Sequence, residues 1–139
     1  MLKIKQSDFN QMIHHLKQEY PNEGCGILSG RGGLVERVFA MTNADQSPSS
    51  FGVEGVELLK VYRQIREAGM EVLAIFHSHV ATQAYPSRRD CEAAAFTYPE
   101  ASYVVVSLAQ FDRPVACSFK IHGNMVQEED LSILPESEG

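Results

Sequence analysis

The sequence predicts a single α/β domain, one mixed β-sheet with helices packed against it. Three observations carry that prediction. Helical apolar periodicities alternate with strand-like runs in the order α-β-β-α-β-α-β-β. A glycine-rich turn joins two neighbouring strands as a hairpin, whereas later strands are connected through helices, so antiparallel and crossover connections coexist. The 139 residues, 44% apolar and 22% charged, have the size and composition of one globular core.

The elements follow in chain order. Ser7 is placed to cap a helix whose residues Phe9, Met12, Ile13 and Leu16 recur at i, i+3, i+4 and i+7, with Pro21 ending it. Gly24–Ser29 reads as a short buried strand, and Gly30–Gly33 as the turn into a second strand, Leu34–Met41. Asn43–Gly52, rich in Asp, Ser, Pro and Gly, is a loop by composition. A second amphipathic helix is expected from about Glu54 to Ala68, with Leu58, Val61, Tyr62 and Ile65 on one face and Gly69 as its stop. Val72–His77 is a continuous apolar run, the pattern of a strand covered on both faces. After a polar loop come a short helix from Ser87 to about Phe96 and a buried strand, Ser102–Ala109. Val115–Ile121 alternates and is expected to keep one face wet.

The net charge of −6 is concentrated at one end. Glu128, Glu129, Asp130, Glu136 and Glu138 lie in the last thirteen residues, which hold no Lys or Arg. The expected organisation is therefore a domain over residues 1–126 and a solvated, unstructured acidic tail over 127–139. No basic patch with interleaved aromatics stands out, which argues against nucleic acid as a partner. No apolar run approaches the roughly 18 residues that span a membrane, and the opening stretch is no secretory signal, so a cytoplasmic protein is expected. Cys25, Cys91 and Cys117 form no Cys-x-x-Cys pair, so they read as reduced, buried thiols and not as a thiolate metal site.

The chemistry lies in His77-Ser78-His79 and Ser87-Arg88-Arg89-Asp90. Side chains alternate along a strand, so His77 and His79 point to one side, roughly 6.5–7 Å apart at Cα. Two imidazole nitrogens can then converge on one cation about 2.0–2.1 Å from each. A carboxylate on the first turn of the next helix could close a third corner and leave the fourth open to water, the arrangement of a catalytic zinc. Ser-x-x-Asp is also a helix-start signature, in which Ser87 caps and Asp90 sits at the capping-box position. At average residue usage, His-x-His-x7-Ser-x-x-Asp arises by chance in about 10⁻⁴ of chains this size.

That pattern resembles the signature of the JAMM (MPN+) metallopeptidases. Glu23-Gly24-Cys25-Gly26 supplies the upstream glutamate in the Glu-x-Cys-Gly setting of that family, and the likeness runs from about Pro21 to Ala109. The resemblance implies a curved mixed sheet flanked by helices, similar to cytidine deaminases, although the deaminases' own His-x-Glu and Pro-Cys-x-x-Cys are absent. It implies one zinc per chain, held by His77, His79 and Asp90. Glu23 would be the general base that takes a proton from water and passes it to the leaving amine, and Ser87 would donate to the developing oxyanion. It implies cleavage of a peptide or isopeptide bond after the C-terminal glycine of a ubiquitin-like protein. The compact chain is similar to the prokaryotic type, expected to act on sulfur-carrier proteins. Val80 stands where the family usually has Pro, which bears on the rigidity of the following loop. Two other readings compete: a scaffold that keeps the metal cage without chemistry, and a hydrolase of small amides. His14, His15 and His122 are expected to be solvated or unpartnered, and Arg88 and Arg89 exposed.

Overall fold

The computed structural model describes residues 1–94, 100–123 and 125–136. The elements are β1 (Leu2–Lys5), α1 (Gln6–Glu19), β2 (Cys25–Arg31), β3 (Leu34–Met41), α2 (Gly55–Glu67), β4 (Glu71–His79), α3 (Arg88–Ala94), β5 (Ser102–Ser107), β6 (Val115–His122), β7 (Met125–Glu129) and β8 (Leu131–Leu134). The part of the third helix expected beyond residue 94 lies outside the described residues. All strands join one mixed sheet in the order β7-β6-β5-β4-β2-β3-β1-β8. β1 runs parallel to β3 and β8, and β4 parallel to β5, while the other pairings are antiparallel.

The predicted hairpin forms, with Arg31 paired to Leu34 across Gly32 and Gly33. Both glycines have positive φ, 59° and 78°, the condition of the two-residue turn that matches strand twist. Side-chain alternation then sorts the core onto two faces. Leu28, Ala74, Phe76, Val104 and Val106 turn one way and pack against Met12 and Leu16 of α1. On the other face Ile27 and Phe39 meet Val61 and Ile65 of α2. Tyr103, Val105 and Phe119 meet Cys91 of α3. At Gly26 an added Cβ would lie 2.2 Å from the Phe76 ring, so only glycine lets β2 and Phe76 close together there.

Four expectations are corrected. The tail is not a solvated appendage from residue 127: β7 and β8 run through it, with Leu131 packed against the first core cluster. These strands are the two edges of the sheet, yet only Asp130 separates them in sequence, and its carbonyl accepts the Leu2 N–H at 3.1 Å. The sheet must curve until its ends meet. Ser7 does not cap α1. The N-cap is Lys5, without a side-chain bond, and the Ser7 N–H donates to the Glu136 carboxylate at 2.6 Å, an acid on the helix's positive end. The expected wet face of β6 is wet only in part, because Ser118 is fully buried and Ala116 packs against the first cluster, while Lys120 stays half-exposed. His15 is half-buried, its Nε2 3.0 Å from the Cys25 carbonyl and 3.2 Å from that of Met41, so it ties α1 to the β2–β3 pair.

Candidate metal centre and catalytic site

β4 delivers both histidines to the face covered by α2 and α3. His77 is 1% exposed and His79 5%, because β2 and β5 flank β4, with Cys25 and Val105 opposite His77 and Ser107 opposite His79. α3 begins with the predicted capping box. The Asp90 N–H donates to Ser87 Oγ at 3.1 Å, and the Ser87 N–H donates to Asp90 Oδ2 at 2.8 Å. The helix-start and ligand readings of Ser87 and Asp90 are thus compatible, since the box itself aims Asp90 inward. Asp90 Oδ2 lies 3.0 Å from His77 Nε2 and 2.9 Å from His79 Nε2, and the two Nε2 atoms are 3.1 Å apart.

This triangle fits a metal ion. Bonds of 2.0–2.1 Å in a tetrahedron put neighbouring ligand atoms about 3.3 Å apart, close to what the side chains show. His79 Nδ1 is 3.0 Å from the Gln83 carbonyl, which can only accept, so in the neutral ring the proton sits on Nδ1 and Nε2 is left to bind a cation. With His77 Nε2 and Asp90 Oδ2 it makes a set of three ligand atoms that could hold one metal ion. The His77 ring is held differently: Phe51 stacks on it with centroids 4.7 Å apart, and its buried Nδ1 has no hydrogen-bond partner among the described residues.

Burial opposes the charge of Asp90, but the bonds to His77 and His79, their charge, and the Ser87 N–H outweigh it and hold its carboxyl well below the usual range. For His79 burial also works against charge, and the Asp90 and Gln83 contacts reverse the balance and raise its pKa. Glu23 sits in the turn between α1 and β2 and is only 6% exposed. Burial pushes its carboxyl up to about 7, with Asp90 adding to the rise and the His79 and Arg89 charges opposing it. The structure therefore brings Glu23, His77, His79 and Asp90 to one end of the sheet. Ser87 is exposed, its Oγ accepting from the Asp90 N–H.

Three positioning residues escaped the sequence reading. Ser78 points away from the metal side, and its Oγ accepts the Gly24 N–H at 2.8 Å while its N–H donates to the Gly24 carbonyl at 3.0 Å. Asn43 donates to the carbonyls of Glu23 and Ser50, each at 2.9 Å, and accepts from the N–H groups of Asp45 and Gly52. Its place at the head of an Asp/Ser/Gly loop was the available signal, because such residues bond their own turn. Phe51, which stacks on His77, gave none. Arg88 pairs with Glu92 at 3.3 Å on the surface. The three cysteines are free thiols, and burial pushes Cys25 up to about 12, so it is no nucleophile near neutrality.

The profile of the prokaryotic homologs of the JAB domain matches residues 5–121, which include every residue of this site. The CysO-cysteine peptidase of Mycobacterium tuberculosis is 38% identical over 138 residues, 98% of this chain and 93% of that protein. The probable TtuB-protein conjugate cleaving protease of Thermus thermophilus is 38% identical over 86 residues, 61% of this chain and 57% of that one. A solution structure of a protein from Desulfitobacterium hafniense superposes with a TM-score of 0.88 at 39% identity, covering 99% of this chain and 96% of that chain. The chain belongs to the JAMM/MPN family, as one of the prokaryotic homologs of the JAB domain.

Proposed function

We propose that this chain is a zinc metallopeptidase that hydrolyses a peptide or isopeptide bond after the C-terminal glycine of a ubiquitin-like sulfur-carrier protein. The observation that carries the reading is the convergence of three potential ligand atoms, from His77, His79 and Asp90, within 3.1 Å of one another at the end of the sheet that also buries Glu23. One zinc per chain held there would supply Lewis acidity, polarising an amide carbonyl and acidifying water. Glu23 takes the proton of the attacking water and delivers it to the leaving amine. Its burial disfavours the charged form and so favours proton uptake, which suits a group that takes a proton and passes it on. Asn43 and Ser78 hold the Glu23–Gly24 backbone so that the carboxylate does not drift. The Ser87 hydroxyl donates to the developing oxyanion, a contact typically worth about 3 kcal/mol. A scaffold without chemistry would have no use for a buried carboxylate beside the cage.

The substrate class rests on delivery and on the relatives. A tail ending in Gly-Gly suits a narrow groove because its backbone can approach the site closely, and it can add beside a sheet edge through main-chain hydrogen bonds. We assign one wall of that groove to the loop 80–86, whose Gln83 carbonyl lies against His79 Nδ1. The Mycobacterium relative is named for a bond to cysteine and the Thermus relative for protein conjugates, which supports the same class of amide here. No helix among the described residues is long and apolar enough to cross a membrane. Free thiols suit a reducing compartment, and we place the protein in the cytoplasm.

The test uses zinc-loaded protein and a carrier extended by several residues beyond Gly-Gly, with product masses followed over time. Cleavage after the second glycine is expected. Valine in place of that glycine should cut turnover at least tenfold, equivalent to about 1.4 kcal/mol. Equal cleavage of both forms, or cutting elsewhere, removes the ubiquitin-like substrate.

A further inference from the structure

The site has an apolar annex. A cavity of about 260 Å³ opens between α2, the sheet and the loop 43–52, and its wall includes His77 and Asp90 themselves. Ile27, Met41, Phe51, Leu58, Ile75 and Tyr103 form much of the rest, and no wall residue beyond the two ligands carries a charged side chain. An apolar cavity of about 150 Å³ already admits a ring the size of benzene, so this space takes a whole leucine, methionine or phenylalanine side chain. Phe51 lines it too and is itself stacked on His77, so the cavity shares its wall with two of the residues that would hold the metal beside the scissile amide.

We propose that this cavity is the specificity pocket for the leaving residue, and that it selects a medium-sized apolar side chain on the amino acid released from the carrier. The proposal rests on the reading that cleavage follows a C-terminal glycine. On the carrier side of such a bond there is no side chain to bury. The first side chain available branches one atom from the leaving nitrogen, within reach of a cavity that shares its wall with the metal ligands. Each buried methylene gains from leaving water, so methionine or leucine is favoured over glycine. An aspartate would be stranded unpaired beside Asp90 and is rejected.

The experiment is a series of carriers ending Gly-Gly-X, with X as glycine, alanine, methionine, leucine or aspartate, cut by zinc-loaded protein. Methionine and leucine should exceed glycine at least tenfold in kcat/KM, with aspartate lowest. Leu58→Trp, which fills the cavity from the α2 side, should bring the methionine-to-glycine ratio to near one. A second readout needs no turnover: methionine amide, and not glycine amide, should shift the NMR methyl signals of Ile27 and Ile75 in the zinc-loaded protein. Flat rates across X overturn the pocket while leaving the peptidase reading in place. If no carrier is cut, the peptidase reading fails and the methyl signals decide the pocket alone, their silence overturning it.

Discussion

Asp90 and Glu129 are acids drawn into opposite ends of the sheet, and each meets two side chains and a nitrogen. Asp90 faces His77, His79 and the Ser87 N–H. Glu129 accepts from the hydroxyls of Ser102 and Ser118, the latter at 2.7 Å, and pairs with the amino terminus at 3.6 Å. Burial opposes both charges, and in both cases the partners win and lower the pKa. The difference lies in what the partners can offer a cation. Two serines and an ammonium group bond Glu129 with their own protons. Each imidazole can turn a lone pair to a metal ion, so the Asp90 cluster offers three ligand atoms that could hold one. A depressed carboxylate alone does not mark a functional site; the donor inventory around it does.

The contrast breaks most visibly at the metal end. Asp90→Ala should remove most bound zinc and essentially all hydrolysis, because two imidazoles alone hold the ion weakly. Glu23→Gln should keep zinc at one per chain yet lose two or more orders of magnitude in kcat, since an amide cannot take the proton. Metal analysis beside turnover separates the two. A fully active Glu23→Gln protein would make that residue a buried charge with no catalytic part, and full zinc in Asp90→Ala would sink the ligand set.

A smaller effect sharpens the overlap between helix cap and catalysis at Ser87. Ser87→Ala should lower kcat about 10²-fold through the lost oxyanion donor. It should also cost about 1 kcal/mol of stability through the lost cap. Ser87→Gly is the control, because glycine at a cap costs only a few tenths of a kcal/mol. Equal loss of turnover in both variants, with unequal loss in urea unfolding, assigns the rate effect to the hydroxyl. If turnover instead tracks stability across the pair, Ser87 is a cap alone.

The same contrast explains what the sequence made legible. His77, His79, Ser87 and Asp90 lie within fourteen residues, and strand alternation plus a capping box suffices to point them together. β2 to β6 were readable for a similar reason, because their apolar runs are long and bounded by turns. β1 is only four residues, yet Leu2 and Ile4 alternate with Lys3 and Lys5, a period-2 signal that passes unnoticed when the stretch is judged only as a signal sequence. β7 and β8 were hidden by their charge. Counting acids at the end of the chain predicts solvation, whereas Glu129 is turned inward by serines more than ten residues away. Asn43, Ser78 and Phe51 act through contacts 20 to 54 residues apart, or through ring stacking, and such contacts leave little local pattern.

Glu129→Gln is the smallest test, and it isolates the architectural acid. Glutamine can still accept from Ser102 and Ser118, so only the charge is lost, and the expected cost is about 1 kcal/mol near neutral pH. Zinc content and turnover should not change, because nothing in the metal cluster touches Glu129. The pH dependence carries the sign. The folded pKa of Glu129 lies below its unfolded value, so its charge stabilises the fold fully above the unfolded glutamate value of about 4.3, and that stability drains as pH falls toward the folded pKa. The parent should therefore lead the variant in urea unfolding at pH 7, and the gap should narrow at pH 3.5 and close further below it. A gap that stays constant from pH 7 to 3 would mean that the two serines bind the side chain as a neutral acceptor. The closure of the curved sheet would then rest on strand pairing through Asp130, and not on the charge beside it.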